Sequence, residues 1–176
     1  MLYVLAVLLA ASGADEHLLT GARAFRAGEY AKALVEFRVA EKLGGPGEAS
    51  WYAAAALQKM GRAEDALIAF ANAEASAPNA RDALLDYYRA LACYDARLYL
   101  CAQRLLVQVG DAGGPRIGDM ARKTRESIDK LFQTPPARGA VDWYREKAQV
   151  AKAAKRESLA ALYTAEADAL QARLAK

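Results

Sequence analysis

The chain has 176 residues, 55% of them hydrophobic, with a net charge of +3, one histidine and two cysteines. That apolar share excludes a disordered, charge-dominated chain, and a single histidine beside two cysteines cannot complete a tetrahedral zinc shell. Helix formers dominate, and valine and isoleucine do not alternate with polar residues over a strand length, so the expected fold class is all-α.

Residues 1–14 carry an apolar run from Leu2 to Ala11 and then the small residues Ser12, Gly13 and Ala14. This order predicts a signal peptide cut after Gly13 or Ala14. The mature chain is then periplasmic or secreted, with no stable membrane insertion after cleavage, since the run is too short to span a bilayer. No Lys or Arg precedes the run; the alternative is a cytoplasmic protein in which these residues cap the first helix pair.

The spacing predicts a helix over residues 15–27, with Leu18, Leu19, Ala22 and Phe25 on one face and Gly28 as its stop. A second helix, residues 30–43, turns Leu34, Phe37 and Ala40 inward and is broken by Gly44-Gly45-Pro46-Gly47. The next pair covers residues 48–60 and 63–76, with Pro78-Asn79 as the stop. Gly28 and Gly61 stand 33 residues apart, and each is followed at the same offsets by an alanine, an aromatic and an alanine: Ala33, Phe37, Ala40 and then Ala66, Phe70, Ala73. A repeat of that size marks stacked helix pairs, each too small to bury its apolar face alone.

A third pair is expected over 81–94 and 96–109, turning at Asp95. That register puts Leu100 and Arg104 where the earlier pairs carry alanine and an aromatic, a degenerate copy. Cys93 and Cys101 flank the turn and are a candidate disulfide; the alternative is two small buried thiols. After a loop over 110–115 comes a helix over 116–132 with Ile117, Met120, Ile128 and Leu131 in one stripe. Thr134-Pro135-Pro136 ends it, a linker runs to Gly139, and a last pair fills 141–176, where Trp143 and Tyr144 stand much as Trp51 and Tyr52 do.

These residues resemble tetratricopeptide repeats. Gly21, Gly28, Tyr30, Ala33, Phe37 and Ala40 match one repeat, with Gly45-Pro46 at its boundary, and Ala54, Gly61, Ala66, Phe70, Ala73 and Pro78 match the next. The resemblance implies a right-handed superhelical array of antiparallel helix pairs, a TPR-like α-solenoid with C-terminal capping helices. The implied layout is a signal peptide over 1–14, three helix pairs over 15–110, a capping helix over 115–133, and a hairpin over 139–176 readable as a decayed repeat.

The resemblance also implies a scaffold or adaptor, of the bacterial cell envelope if exported, that binds another protein or peptide along a concave groove. Transferred to this chain, the groove residues are Arg26 from the first pair, Trp51, Tyr52, Gln58 and Lys59 from the second, and Asp86 and Arg89 from the third. Trp51, Tyr52 and Arg89 are the anchors by residue type; the alternative puts Trp51 and Tyr52 in the core. Family members that grip acidic C-terminal peptides carry lysines and asparagines on this surface, near the places held here by Leu18, Leu19, Ala22 and Ala55, so that activity is not expected.

No catalytic, cofactor-binding or metal-binding set is discernible. His17 has no second ligand-type residue spaced to join it, and the glycines near Gly44 and Gly113 lack the Lys-Ser or Lys-Thr of a phosphate loop. Asp15-Glu16 and Glu64-Asp65 fall in first helical turns, where they complement the dipole. A protein that is not an enzyme, has no cofactor and takes no nucleic acid is the expectation. Two alternatives stay open. One is a cytoplasmic adaptor or co-chaperone. The other uses the basic C-terminal half: residues 1–111 hold 11 Lys and Arg against 13 Asp and Glu, but residues 112–176 hold 13 against 8. Nucleic acid or an anionic surface would then meet Arg122, Lys123 and Arg125.

Overall fold

The computed structural model describes residues 2–134, 136, 137 and 139–175, with side chains from residue 13 onward. Among them are nine α-helices, one short 3-10 helix and no strand. The chain divides into two compact units, residues 1–85 and 86–176.

The first unit holds α1 (Leu2–Arg26), α2 (Tyr30–Lys42), α3 (Glu48–Lys59) and α4 (Ala63–Ser76), then a 3-10 turn at Pro78–Ala80. Each helix packs on the next. The backbone of α1 is continuous from Leu2, so the apolar leader and the first expected helix form one element. The side chains of residues 2–12 lie outside the described residues, and the export signal is read from sequence alone. Ala14 is fully buried, and a Cβ placed on Gly45 would meet the Ala14 methyl at 2.9 Å.

Two devices bring α1 and α2 together. A Cβ on Gly21 would lie 2.7 Å from the Phe37 ring, so the helices reach this separation only over a glycine. At the turn, Gly28 takes φ 80°. Its N–H donates to the Phe25 carbonyl at 3.1 Å, and the Glu29 N–H reaches back to Ala24 at 2.9 Å. This left-handed cap satisfies carbonyls that the helix end leaves open. Gly61 repeats it, donating to Gln58 while Arg62 donates to Leu57. Ala33, Phe37, Ala40, Ala66, Phe70 and Ala73 are all completely buried behind these turns.

The second unit holds most of α5 (Ala83–Asp95), then α6 (Tyr99–Ala112), α7 (Gly114–Leu131), α8 (Ala140–Ala153) and α9 (Glu157–Leu174). Here the expected register needs correction. The turn residue is Arg97, not Asp95: Arg97 sits at φ 63°, its N–H donates to Tyr94, and the Leu98 N–H donates to Cys93. Five, nine and twelve residues beyond Arg97 stand Ala102, Leu106 and Val109, each buried to within 1%. The second helix of this pair therefore keeps the repeat pattern, with leucine in the aromatic's place. The turn was hidden because a side chain-bearing residue holds a left-handed conformation, at a cost of about 1–2 kcal/mol.

Lys155, at φ 56°, does the same between α8 and α9, with Ala160 and Ala167 buried at the first and third offsets. Gly110, Asp111 and Ala112 belong to α6 rather than to a loop, so the break narrows to Gly113. The likeness of Trp143-Tyr144 to Trp51-Tyr52 does not extend to burial. Counted back from its turn residue, Trp143 lies two positions further than Trp51, roughly 200° around the helix. Trp143 is accordingly 37% exposed, whereas Tyr144 is buried.

Candidate interaction cleft

The sequence-nominated residues fall on both units. In the first, Arg26 is exposed in the last turn of α1. Trp51 has no exposed surface: its ring packs 5.8 Å from Phe70 and its indole N–H donates to the Ala77 carbonyl at 2.9 Å, a place in the core of its helix pair. Tyr52 is half-buried, stacked on Phe37 at 5.5 Å and edge-on to Phe25. Burial, and then the charges of Asp82 and Glu48, push its phenol up from the ordinary value. Gln58 is buried, and Lys59 is exposed with its ammonium 5.9 Å from the centre of the Tyr30 ring. In the second unit, Asp86 and Arg89 are half-buried on α5. Cys93 and Cys101, both buried, are joined as a disulfide across the Arg97 turn, their Cα atoms 6.1 Å apart.

A concave feature within the second unit involves none of the nominated groove residues. A cleft of about 760 Å³ opens in the second unit, with Tyr99, Phe132, Trp143 and Tyr144 as aromatic walls and Arg97 and Glu166 as charged lining. A buried polar framework builds it. Glu166, on α9, is 3% exposed and lies at the start of α6, where Leu100 N–H donates to its Oε1 at 2.7 Å and Cys101 N–H to its Oε2 at 2.9 Å. A carboxylate from 66 residues downstream thus caps α6 and complements its dipole. Burial pushes the carboxyl up from the ordinary glutamate range, and the backbone N–H groups and Arg104 pull it only partly back. The Tyr144 hydroxyl donates to the Arg97 carbonyl at 2.6 Å, tying α8 to the turn before α6. Desolvation, reinforced by the Glu166 charge, moves that phenol strongly upward, so it stays a donor at any physiological pH.

The walls are aromatic edges more than open faces. Tyr99 meets Phe132 edge-on at 6.5 Å, and Trp143 meets Tyr144 edge-on at 4.9 Å. Cations occupy ring faces beside the cleft: the Arg173 guanidinium stands 4.3 Å from the centre of Phe132, and the Lys147 ammonium 5.6 Å from Trp143. A smaller cleft of about 400 Å³, lined by Leu100, Arg104, Leu162 and Arg173, also borders Glu166. The residues of this region were missed because no local motif announces them: Glu166 and Tyr144 read as ordinary helix residues until the chain folds back. The pairing of Trp143 with Tyr144 was the one signal available.

Elsewhere, His17 Nδ1 lies 2.6 Å from Glu36 Oε2. Arg122 is engaged within its own helix, bonded to Asp119 and Glu126 at 3.2 and 2.8 Å. Among the described residues no group of three or more His, Cys, Asp or Glu is placed to hold a metal ion, and no helix is long and apolar enough to cross a membrane.

Fold and cleft together define an all-helical protein of consecutively packed helix pairs. No protein-family model, curated protein or solved structure matches the chain.

Proposed function

We propose that the chain is a protein-interaction scaffold built from helix pairs of the tetratricopeptide kind, without catalytic activity, and that it works in the bacterial cell envelope. One observation carries the helix-pair reading. Three turn residues, Gly28, Gly61 and Arg97, are followed at identical offsets by buried small or apolar residues, so one packing rule is used three times. Helix pairs repeated in this way form binding surfaces, not closed cores. The place offered to a partner is the aromatic cleft of the second unit, because Trp51 contributes no surface.

Export is supported by the apolar run before Ser12-Gly13-Ala14 and by the disulfide, which belongs to oxidising compartments. Because Ala14 fills the space over Gly45, the cut that preserves packing is the one after Gly13. N-terminal sequencing of the mature chain should begin at Ala14, and an intact Met1 on a cytoplasmic species would end the envelope reading. For the scaffold itself, a photo-crosslinking residue at Trp143 or Lys59 should yield a discrete, saturable protein adduct in living cells. Adducts from neither position would count against it.

A further inference from the structure

We propose that the cleft of the second unit receives an acidic peptide segment bearing one large apolar side chain. This deepens the scaffold reading and rests on it. The size follows from the volume, about 760 Å³, and the apolar part from Leu131, Phe132 and Leu170 on the lining and the exposed Trp143 indole, a form of surface that recurs at peptide anchors. The sign of the charge follows from which ionic groups are already neutralised. Glu166 is the one acidic residue among the cleft's described lining, and both its oxygens accept backbone N–H groups at the positive end of α6. Both oxygens are therefore already occupied by donors of the fold. The cations stand at the surface instead: Arg97 is exposed on the lining, and Arg173 is exposed and lies over Phe132 at the cleft's edge. An incoming cation would meet these arginines, whereas carboxylates flanking an inserted side chain would find both.

The second unit as a whole carries 16 Lys and Arg against 11 Asp and Glu, which favours the same partner at longer range. Single-stranded nucleic acid shares the sign but needs open aromatic faces on which bases stack. Here Phe132 and Trp143 have cations on their faces and meet Tyr99 and Tyr144 edge-on.

The test is selection of random dodecapeptides displayed on phage against the full chain, followed by fluorescence polarisation of the most enriched labelled peptide. Peptides pairing Asp or Glu with Phe, Trp or Leu are expected, with binding that weakens as salt rises. Arg97→Gly should weaken binding about tenfold, the loss of one charged contact. This variant is safe for the fold, because glycine relieves the left-handed backbone and the carbonyl that Tyr144 needs remains. Trp143→Ala should do the same with helicity by circular dichroism retained, while Lys59→Ala, in the first unit, should change nothing. Enriched peptides indifferent to both cleft variants would overturn the assignment and leave the scaffold reading standing. Enrichment without acidic bias, no enrichment at all, or displacement of the peptide by oligouridylate would overturn the acidic-peptide proposal; the crosslinking experiment then judges the scaffold separately.

Discussion

Replacing Glu166 by glutamine isolates the bond that ties α9 to the start of α6. Glutamine keeps one oxygen, so one of the two backbone donors at 2.7 and 2.9 Å retains a partner, and the other faces an amide NH2. A buried N–H left unsatisfied costs about 1–3 kcal/mol. Part of that is offset because burial already penalises the carboxylate. The net loss at neutral pH should be about 1–2 kcal/mol, seen as amide exchange at Leu100 and Cys101 that is about 5–30-fold faster than in the wild type. The pH dependence gives the sharper check. An acid whose folded pKa is raised binds its proton more tightly folded than unfolded, so its contribution is fully present below the unfolded value and lost as pH rises through the folded one. The advantage of wild type over Glu166→Gln should therefore shrink between the ordinary glutamate range and the raised folded value, then level off. A gap that grows with pH across that window would mean that the N–H donors outweigh burial, and the reasoning about this carboxyl would be wrong.

Three further outcomes are expected. Lys155→Gly removes about 1–2 kcal/mol of left-handed strain and adds about 0.5–1 kcal/mol of unfolded-chain entropy, so the melting temperature should rise by a few degrees; a fall would place Lys155 outside that conformation. Trp51→Ala empties a fully buried site and loses the bond to Ala77, for about 3–5 kcal/mol by urea denaturation, and an unchanged midpoint would put the ring at a surface. Mass spectrometry without reductant should show Cys93 linked to Cys101, and reduction should cost about 2–3 kcal/mol for so short a loop; two freely alkylated thiols would refute the bond.

The helix pairs could be read from the chain wherever local chemistry advertised them. Gly28 and Gly61 mark left-handed turns because glycine is the residue that adopts them without strain, and the buried residues behind them followed by counting. At Arg97 and Lys155 the same turn is made by residues that do not advertise it. Placing the third turn two positions early, at Asp95, shifted every later offset, and a regular copy looked decayed. A fixed offset is only as good as its origin. The backbone geometry was conserved between pairs while the residue type that signals it was not.

The cleft was hidden for a different reason. Its framework rests on bonds between residues separated by 47 positions, for Tyr144 and Arg97, and by 66, for Glu166 and Leu100. Neither bond has a spacing rule, since both depend on where α8 and α9 return against the start of α6. Glu166 sits among alanines on a helix where a carboxylate is ordinarily a solvated residue. Only burial against a helix N-terminus turns it into a cap, and on the acidic-peptide proposal that cap leaves the neighbouring arginines as the ionic groups a partner would meet. Removing the Glu166 charge would therefore change more than stability. It would free the positive end of α6 beside Arg97, and acidic peptides should bind Glu166→Gln more tightly than wild type wherever the variant remains folded, by about the few-fold that a partly exposed helix dipole supplies. Weaker binding would mean that Glu166 itself contacts the peptide.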